Sequence, residues 1–125
     1  MEFNNNQAIY LQIADMLCEK ILLKVLKQDE RIPSVRELAV QLEVNPNTVM
    51  RTYEFLQGMD IIINKRGVGY FVAPDGIAKA TYYRKSEFLQ KELPQIFKTA
   101  ALLNISFDEL KQQYLNQQEA LKNKL

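Results

Sequence analysis

The chain of 125 residues contains no histidine and no tryptophan, a single cysteine, four glycines and four prolines. Without histidine the commonest general base is missing, and zinc sites built from Cys and His are excluded by count. No carboxylate pair or glycine-rich phosphate loop stands out either, so the chain reads as a non-enzyme with no metal and no cofactor. Cys18 alone closes no internal disulfide. No apolar run approaches the roughly 20 residues that a membrane span requires. The start, MEFNNNQAIY, lacks the basic-then-apolar pattern of a secretory signal. These absences together predict a soluble cytoplasmic protein.

An excess of one charge is lacking too. The formal net charge is +1, with eight basic against ten acidic side chains before Gly76 and eight against five after it. Bulk electrostatics therefore gives no argument for a polyanionic partner, and such a partner has to be inferred from where particular cations sit. What the chain does have is 47% hydrophobic residues, enough for one compact core plus an extension too small to fold alone.

Apolar spacing organises that content. Ile9, Ile13, Met16, Leu17, Ile21 and Val25 recur at steps of three and four and predict a helix from about Gln7 to Leu26. Pro33 biases Ile32 toward an extended backbone and marks a boundary. The following SVRE is a capping box, in which Ser34 and Glu37 satisfy each other's backbone amides while Ile32 staples onto Leu38. Val35, Leu38, Ala39 and Leu42 face this second helix inward. A third helix opens with Asn45 as cap and Pro46 at its first position, where no amide proton is needed. Val49, Tyr53 and Leu56 face inward, with Val44 just ahead, which leaves Asn47, Thr48, Arg51 and Thr52 pointing away from the core. Tyr10 and Tyr53 read as core tyrosines with one wet edge, and Cys18 as an inert, packed thiol.

After Gly58, DIIINKRGVGYFVAP reads as two short strands, Ile61 to Ile63 and Tyr70 to Val72, around a basic tip where Gly67 and Gly69 supply positive φ. The APDG that follows is the predicted domain edge, dividing residues 1–75 from 76–125. Residues 77 to about 103 are helical in pattern, with a kink or restart at Pro94. ISFDEL repeats the capping logic through Ser106 and Glu109, Ile105 stapling to Leu110, and opens a last helix to about Asn123. Tyr83, Phe88, Leu89, Leu93, Ile96, Phe97, Leu110 and Tyr114 form the apolar set of this tail. A lone helical hairpin does not bury that much apolar surface by itself, so the set predicts dimer packing. With only about 50 residues after Pro74, the tail is too short to wall off a ligand pocket of several hundred Å³ within one subunit.

Helix, helix, turn, helix, hairpin is the order of a winged helix-turn-helix. The fold class is accordingly mainly α (α+β), with a two-stranded wing followed by a C-terminal helical hairpin. The tight connection between the second and third helices projects the outer face of the third into a DNA major groove while the second braces it. Asn47 and Thr48 meet base edges or phosphates near a helix N-terminus that itself attracts phosphate, and Arg51 bonds a guanine or a phosphate. Arg36 lies where backbone contacts are made, and Lys65 and Arg66 reach toward a minor groove. Ser34 and Asn45, at the two helix N-termini, join the DNA-binding set.

Over about residues 8 to 75 the sequence resembles the DNA-binding domain of the GntR family of bacterial transcription regulators. The marks are PSVRELA, VNPNTV, the spacing of Arg51, Tyr53 and Leu56, and RGVGYFV. The resemblance implies that Arg36, Asn47, Arg51, Arg66 and Gly67 face DNA. Departures occur where the family usually has glycine and this chain has Lys24, Asp29 and Glu43, which puts loop shape in question. Position 46, often a base-reading arginine, is proline, which shifts readout to Asn45, Asn47 and Arg51. The short tail with LLNISFDELKQQY resembles the YtrA-like branch, whose tail mediates dimerisation. The implied protein is a homodimeric regulator of repressor type on a two-fold symmetric double-stranded DNA operator, with no membrane role and an effector that the sequence does not specify.

Bland readings stand beside these. Arg51 alone is a solvated helix charge, Asn47 and Thr48 are first-turn residues, and Lys65 and Arg66 are cations that keep a hairpin edge from aggregating. The aromatic residues Tyr82, Tyr83, Phe88 and Phe97 suggest a ligand cage less readily than packing. From a different class, a winged-helix module that binds protein rather than DNA is the alternative function.

Overall fold

The computed structural model describes residues 1–124, with side chains to Asn123. In chain order it contains α1 (Ile9–Leu22), α2 (Val35–Leu42), α3 (Pro46–Gly58), β1 (Ile62–Lys65), β2 (Gly69–Val72) and α4 (Gly76–Glu87). A π-helical turn (Phe88–Glu92), α5 (Leu93–Leu102) and α6 (Phe107–Lys124) follow. The chain divides into two compact units, Met1–Lys85 and the residues from Ser86 on.

In the first unit α1 presents Ile13, Ala14, Leu17, Cys18 and Ile21 to the core, α2 presents Leu38 and Ala39, and α3 presents Val49, Thr52, Tyr53 and Leu56. Ile32, Ile61, Ile62 and Val72 close the core from the loop and the strands. Each fully buried aliphatic side chain here contributes about 1.5–3 kcal/mol. The predicted stripe on α1 shifts: Ile9 and Val25 are exposed, and Ala14 and Cys18 lie inside instead.

α1 ends four residues sooner than its apolar spacing suggests because Lys24 adopts a left-handed backbone, φ 61. The Val25 amide then donates to the Lys20 carbonyl at 2.8 Å and the Lys24 amide to Ile21 at 3.1 Å. That is a Schellman termination. The same pair of bonds closes α2 at Glu43, α3 at Asp60 and α5 at Asn104, each with positive φ. Asp29 too has φ 63. The three positions where glycine was missing thus keep a glycine-like backbone.

β1 and β2 pair antiparallel in the register Ile62↔Val72 to Lys65↔Gly69. A third segment joins them: the Ile32 amide donates to Tyr70 O at 2.9 Å, Asp29 N to Val72 O at 3.1 Å and Val72 N to Glu30 O at 3.0 Å, with Arg31 opposite Phe71. The polar stretch read as a mere boundary therefore extends the wing.

The two units divide ten residues beyond the APDG edge, since the first part of α4 packs into the first unit. Ala80 and Tyr83 are buried there. The Tyr83 hydroxyl donates to Asp15 Oδ1 at 2.9 Å, and Arg84 pairs with Asp15 Oδ2 at 3.2 Å. Gln12, also buried, ties the N-terminal strap to α1: its amide group donates to the carbonyls of Asn4 (2.9 Å) and Gln7 (2.7 Å), and its oxygen accepts from Asn4 N.

In the second unit Pro94 has its predicted effect through a defined device. The turn before it widens, with the Leu93 amide donating to Phe88 O five residues back. A proline lacks the amide that would continue the α ladder and crowds the carbonyl one turn earlier, which the wider turn relieves. Ser106 Oγ accepts from Glu109 N at 3.2 Å, one limb of the expected reciprocal cap on α6.

Candidate nucleic-acid interface

Two caps set the helix-turn-helix. Ser34 Oγ accepts from Glu37 N (3.1 Å) and Glu37 Oε1 accepts from Ser34 N (3.2 Å), so both limbs of the capping box form. The Ser34 backbone bond, foremost, holds the Glu37 carboxyl below the usual carboxylate range. Ser34 is half-buried and committed to this cap. Asn45 Oδ1 accepts from Asn47 N at 2.8 Å, fixing the first turn of α3 behind Pro46.

The α2–α3 angle is held from inside by Tyr53, which is fully buried. Its hydroxyl donates to Pro33 O at 2.6 Å, immediately before the α2 cap, and its ring meets Tyr70 of the wing edge-on at 4.8 Å. One side chain thus braces α3 against both the start of α2 and β2, and the expected wet edge is absent. Burial pushes the phenol well above its ordinary value.

Of the residues predicted to face outward on α3, Asn47 and Arg51 are exposed and Thr48 is half-buried. Thr52 is not outward: it is 0% exposed, its single hydroxyl proton donated to Tyr10 O at 2.7 Å, with Thr48 O also in reach at 3.2 Å. Positions 49, 52, 53 and 56 follow the one-face spacing of a helix, a signal that was available, and the Tyr10 carbonyl satisfies the hydroxyl inside the core. Arg36, exposed on the first turn of α2, shares a shallow recess with Val40, Val44 and Pro46. The outer side of α2 and the N-terminus of α3 are therefore contiguous there. Arg51 lies over the Tyr10 ring, its guanidinium carbon 4.0 Å from the centroid.

On the wing, Lys65 Nζ sits 4.3 Å over the Phe71 ring, and Arg66 and Gly67 are exposed at the tip, Gly67 with φ 78. The register puts Lys65, Gly69, Phe71 and Arg31 on one face of the small sheet. A Cβ at Gly69 would stand 2.8 Å from Arg31 Nε, so the missing side chain makes room for that guanidinium. Sequence reasoning missed Arg31, which sits 34 positions before Lys65 in a stretch with no strand pattern, and it missed Tyr10 beneath Arg51.

In the tail unit, Phe88, Leu93, Ile96, Phe97, Leu110 and Tyr114 line one groove of about 800 Å³ together with Phe107 of α6. Leu89 is about half exposed. Tyr83 does not belong with them, being buried in the first unit against Phe55. The groove is large but open, so the tail does not wall off a pocket within one subunit. Its walls are present without a lid, with Phe107 73% and Tyr114 62% exposed. The positions of Phe107, Leu110 and Tyr114 are helically spaced and carried the signal for this face.

Among the described residues no cluster of three His, Cys, Asp or Glu side chains is placed to hold a metal, and no helix is long and apolar enough to cross a membrane.

Residues 9–72 match the family described as bacterial regulatory proteins, gntR family. The chain is 43% identical over 72 residues to the uncharacterised HTH-type transcriptional regulator YhcF of Bacillus subtilis, covering 58% of this chain and 60% of that protein. It is 33% identical over 103 residues to the HTH-type transcriptional repressor YtrA of the same organism, covering 82% of this chain and 78% of YtrA. Among solved structures it is similar to a putative GntR-family transcriptional regulator from Bacteroides thetaiotaomicron, with a TM-score of 0.73, 45% identity, and coverage of 91% of this chain and 99% of that one. With the winged helix-turn-helix observed, the matched family and these relatives, the chain belongs to the GntR family and is a transcription regulator with a DNA-binding fold rather than an enzyme.

Proposed function

We propose that the protein is a sequence-specific repressor that acts as a homodimer on a two-fold symmetric operator. The observation that carries the dimer is the tail: among the described residues of the second unit only Ala100 is a buried hydrophobic residue, while Phe88, Phe97, Phe107 and Tyr114 line an open groove. So much exposed aromatic surface on a small helical unit is stabilised by a second copy. Repression is supported by the relative named as a repressor, of which this chain covers 78%.

Each subunit inserts α3 into a major groove, with Asn47 and Arg51 reading bases, Asn45 and Thr48 at the same helix end, and Arg36, Lys65, Arg66 and Arg31 contacting phosphates. Two-fold pairing places the half-sites about one helical turn, roughly 34 Å, or a multiple apart. The test is selection of duplexes retained by the purified protein, followed by titration and sedimentation. The expected result is an inverted repeat bound by a dimer. Arg51→Ala then costs about 1–3 kcal/mol and relaxes specificity, while Lys65→Ala weakens every sequence alike and lowers the salt slope by about 0.9. A monomer at micromolar concentration, or unchanged binding by both variants, would overturn the reading.

A further inference from the structure

We propose that Tyr10 is a positioning residue for DNA recognition: it holds Arg51 in place on the outer side of α3 before DNA arrives. The inference rests on the reading of Arg51 as a DNA contact. Tyr10 meets α3 at three residues, Arg51, Thr52 and Phe55. Its ring face carries the Arg51 guanidinium at 4.0 Å, its carbonyl accepts the Thr52 hydroxyl at 2.7 Å, and its ring meets Phe55 edge-on at 6.1 Å. Phe55 is in turn held by Tyr83 at 5.4 Å, and the Tyr83 hydroxyl by Asp15 at 2.9 Å. The ring beneath Arg51 is therefore not a loose surface side chain. It is the outer member of an aromatic row that runs back into the core.

An aromatic face is a suitable platform for this purpose. It attracts a guanidinium through its quadrupole yet supplies no lone-pair acceptor, so the N–H donors of Arg51 stay available for a base edge or phosphate. A carboxylate partner in the same place would occupy those donors and would itself repel phosphate. Holding the long side chain in advance removes much of the ordering cost that a free arginine meets on binding.

The measurement is a double-mutant cycle by fluorescence anisotropy, on a duplex selected with the wild-type protein and on a scrambled duplex of equal length. Tyr10→Leu removes the ring face, Tyr10→Phe keeps it, and Arg51→Ala removes the cation. Tyr10→Leu is expected to weaken binding to the selected duplex about three- to tenfold, to lower the selected-to-scrambled ratio, and to have no further effect in the Arg51→Ala background. Tyr10→Phe should behave as wild type. In the free protein, NMR should show ring-current shifts on the Arg51 side chain that persist in Tyr10→Phe and vanish in Tyr10→Leu. A loss that is equal on both duplexes, or that persists undiminished without Arg51, would mean that Tyr10 acts only through the fold and would overturn the proposal. Tighter binding by Tyr10→Leu would overturn it in the opposite sense, because the ring would then compete with DNA for the cation. An Arg51→Ala variant that binds as well as wild type would instead refute the DNA-contact role of Arg51.

Discussion

Replacing Glu43 or Lys24 by glycine should stabilise the protein, whereas the same replacement at Asn104 should change little. All three residues occupy the left-handed position of a Schellman termination, with φ of 56, 61 and 56 respectively. In each case the next residue, Val44, Val25 or Ile105, closes the motif with an amide bond of 2.8–3.0 Å to the carbonyl five positions earlier. A left-handed backbone costs an ordinary L-residue about 1–2 kcal/mol, and less for asparagine, whose short amide bonds locally. Glycine removes that cost but surrenders about 0.5–1 kcal/mol through its freer unfolded chain. The net gain expected is about 0.5–1 kcal/mol at Glu43 and at Lys24, where the replaced side chains are exposed, and close to zero at Asn104. Since the two turns share no hydrogen-bond partner, the gains should add to about 1–2 kcal/mol in the double variant. Urea denaturation followed by circular dichroism, analysed with a common m-value, resolves the double variant from wild type. A destabilised Glu43→Gly protein, or equal gains at Lys24 and Asn104, would refute the claim that these turns are strained.

Tyr53→Phe should cost about 0.5–1.5 kcal/mol in the same assay, because it removes the hydroxyl's 2.6 Å bond to the half-buried Pro33 carbonyl; no measurable loss would show that water replaces the bond. Gly76→Ala should cost about 1–3 kcal/mol, since its Cβ would stand 2.7 Å from Ile61 O and 2.8 Å from Val72 Cγ1, and a neutral outcome would mean that the start of α4 shifts freely. Burial, with the Asp15 charge second, pushes the Cys18 thiol from 9.0 up to about 12. A pKa raised in the folded state favours the protonated form. Its contribution is therefore complete below pH 9 and fades as pH climbs from 9 toward 12, and urea midpoints should fall across that window, less steeply in Cys18→Ala. A thiol reagent at pH 8 should modify Cys18 only at the rate of unfolding, and prompt native-state labelling would contradict the buried placement.

Local rules carried much of the fold. The Ser34–Glu37 box, the Asn45–Pro46 start and the Gly67–Gly69 turn are decided within a few residues, and each appears where its chemistry required. The failures are tertiary. Thr52 looks like a surface residue until α1 supplies the Tyr10 carbonyl for its hydroxyl. Arg31 looks like part of a polar linker until Phe71, 40 positions later, pairs with it. Tyr83 looks like tail until Asp15 and Phe55 hold it in the first unit. In all three the deciding partner lies on another element, where spacing along the chain has nothing to report. The left-handed turns failed in another way. Glycine is the cheap occupant of such a position and not a required one, so its absence at Lys24 and Glu43 was a poor guide to backbone shape.

The same distinction between sums and positions explains how a unit as nearly neutral as Met1–Lys85, with eleven basic against ten acidic side chains, can carry a DNA-binding fold. Charges separated by more than about 8 Å are largely screened at physiological ionic strength, so a phosphate responds to its nearest neighbours rather than to the total. Several of the acids are already engaged within the protein. Asp15 is paired with Arg84 and Tyr83, Glu37 closes the cap on α2, and Glu30 accepts from the Lys27 amide at 2.7 Å. The cations of interest are placed differently. Arg31, Arg36, Arg51, Lys65 and Arg66 are all exposed, and the partners seen for Arg51 and Lys65 are aromatic rings rather than carboxylates. An aromatic neighbour orients a cation without neutralising it, so Arg51 and Lys65 keep their full charge for an anion.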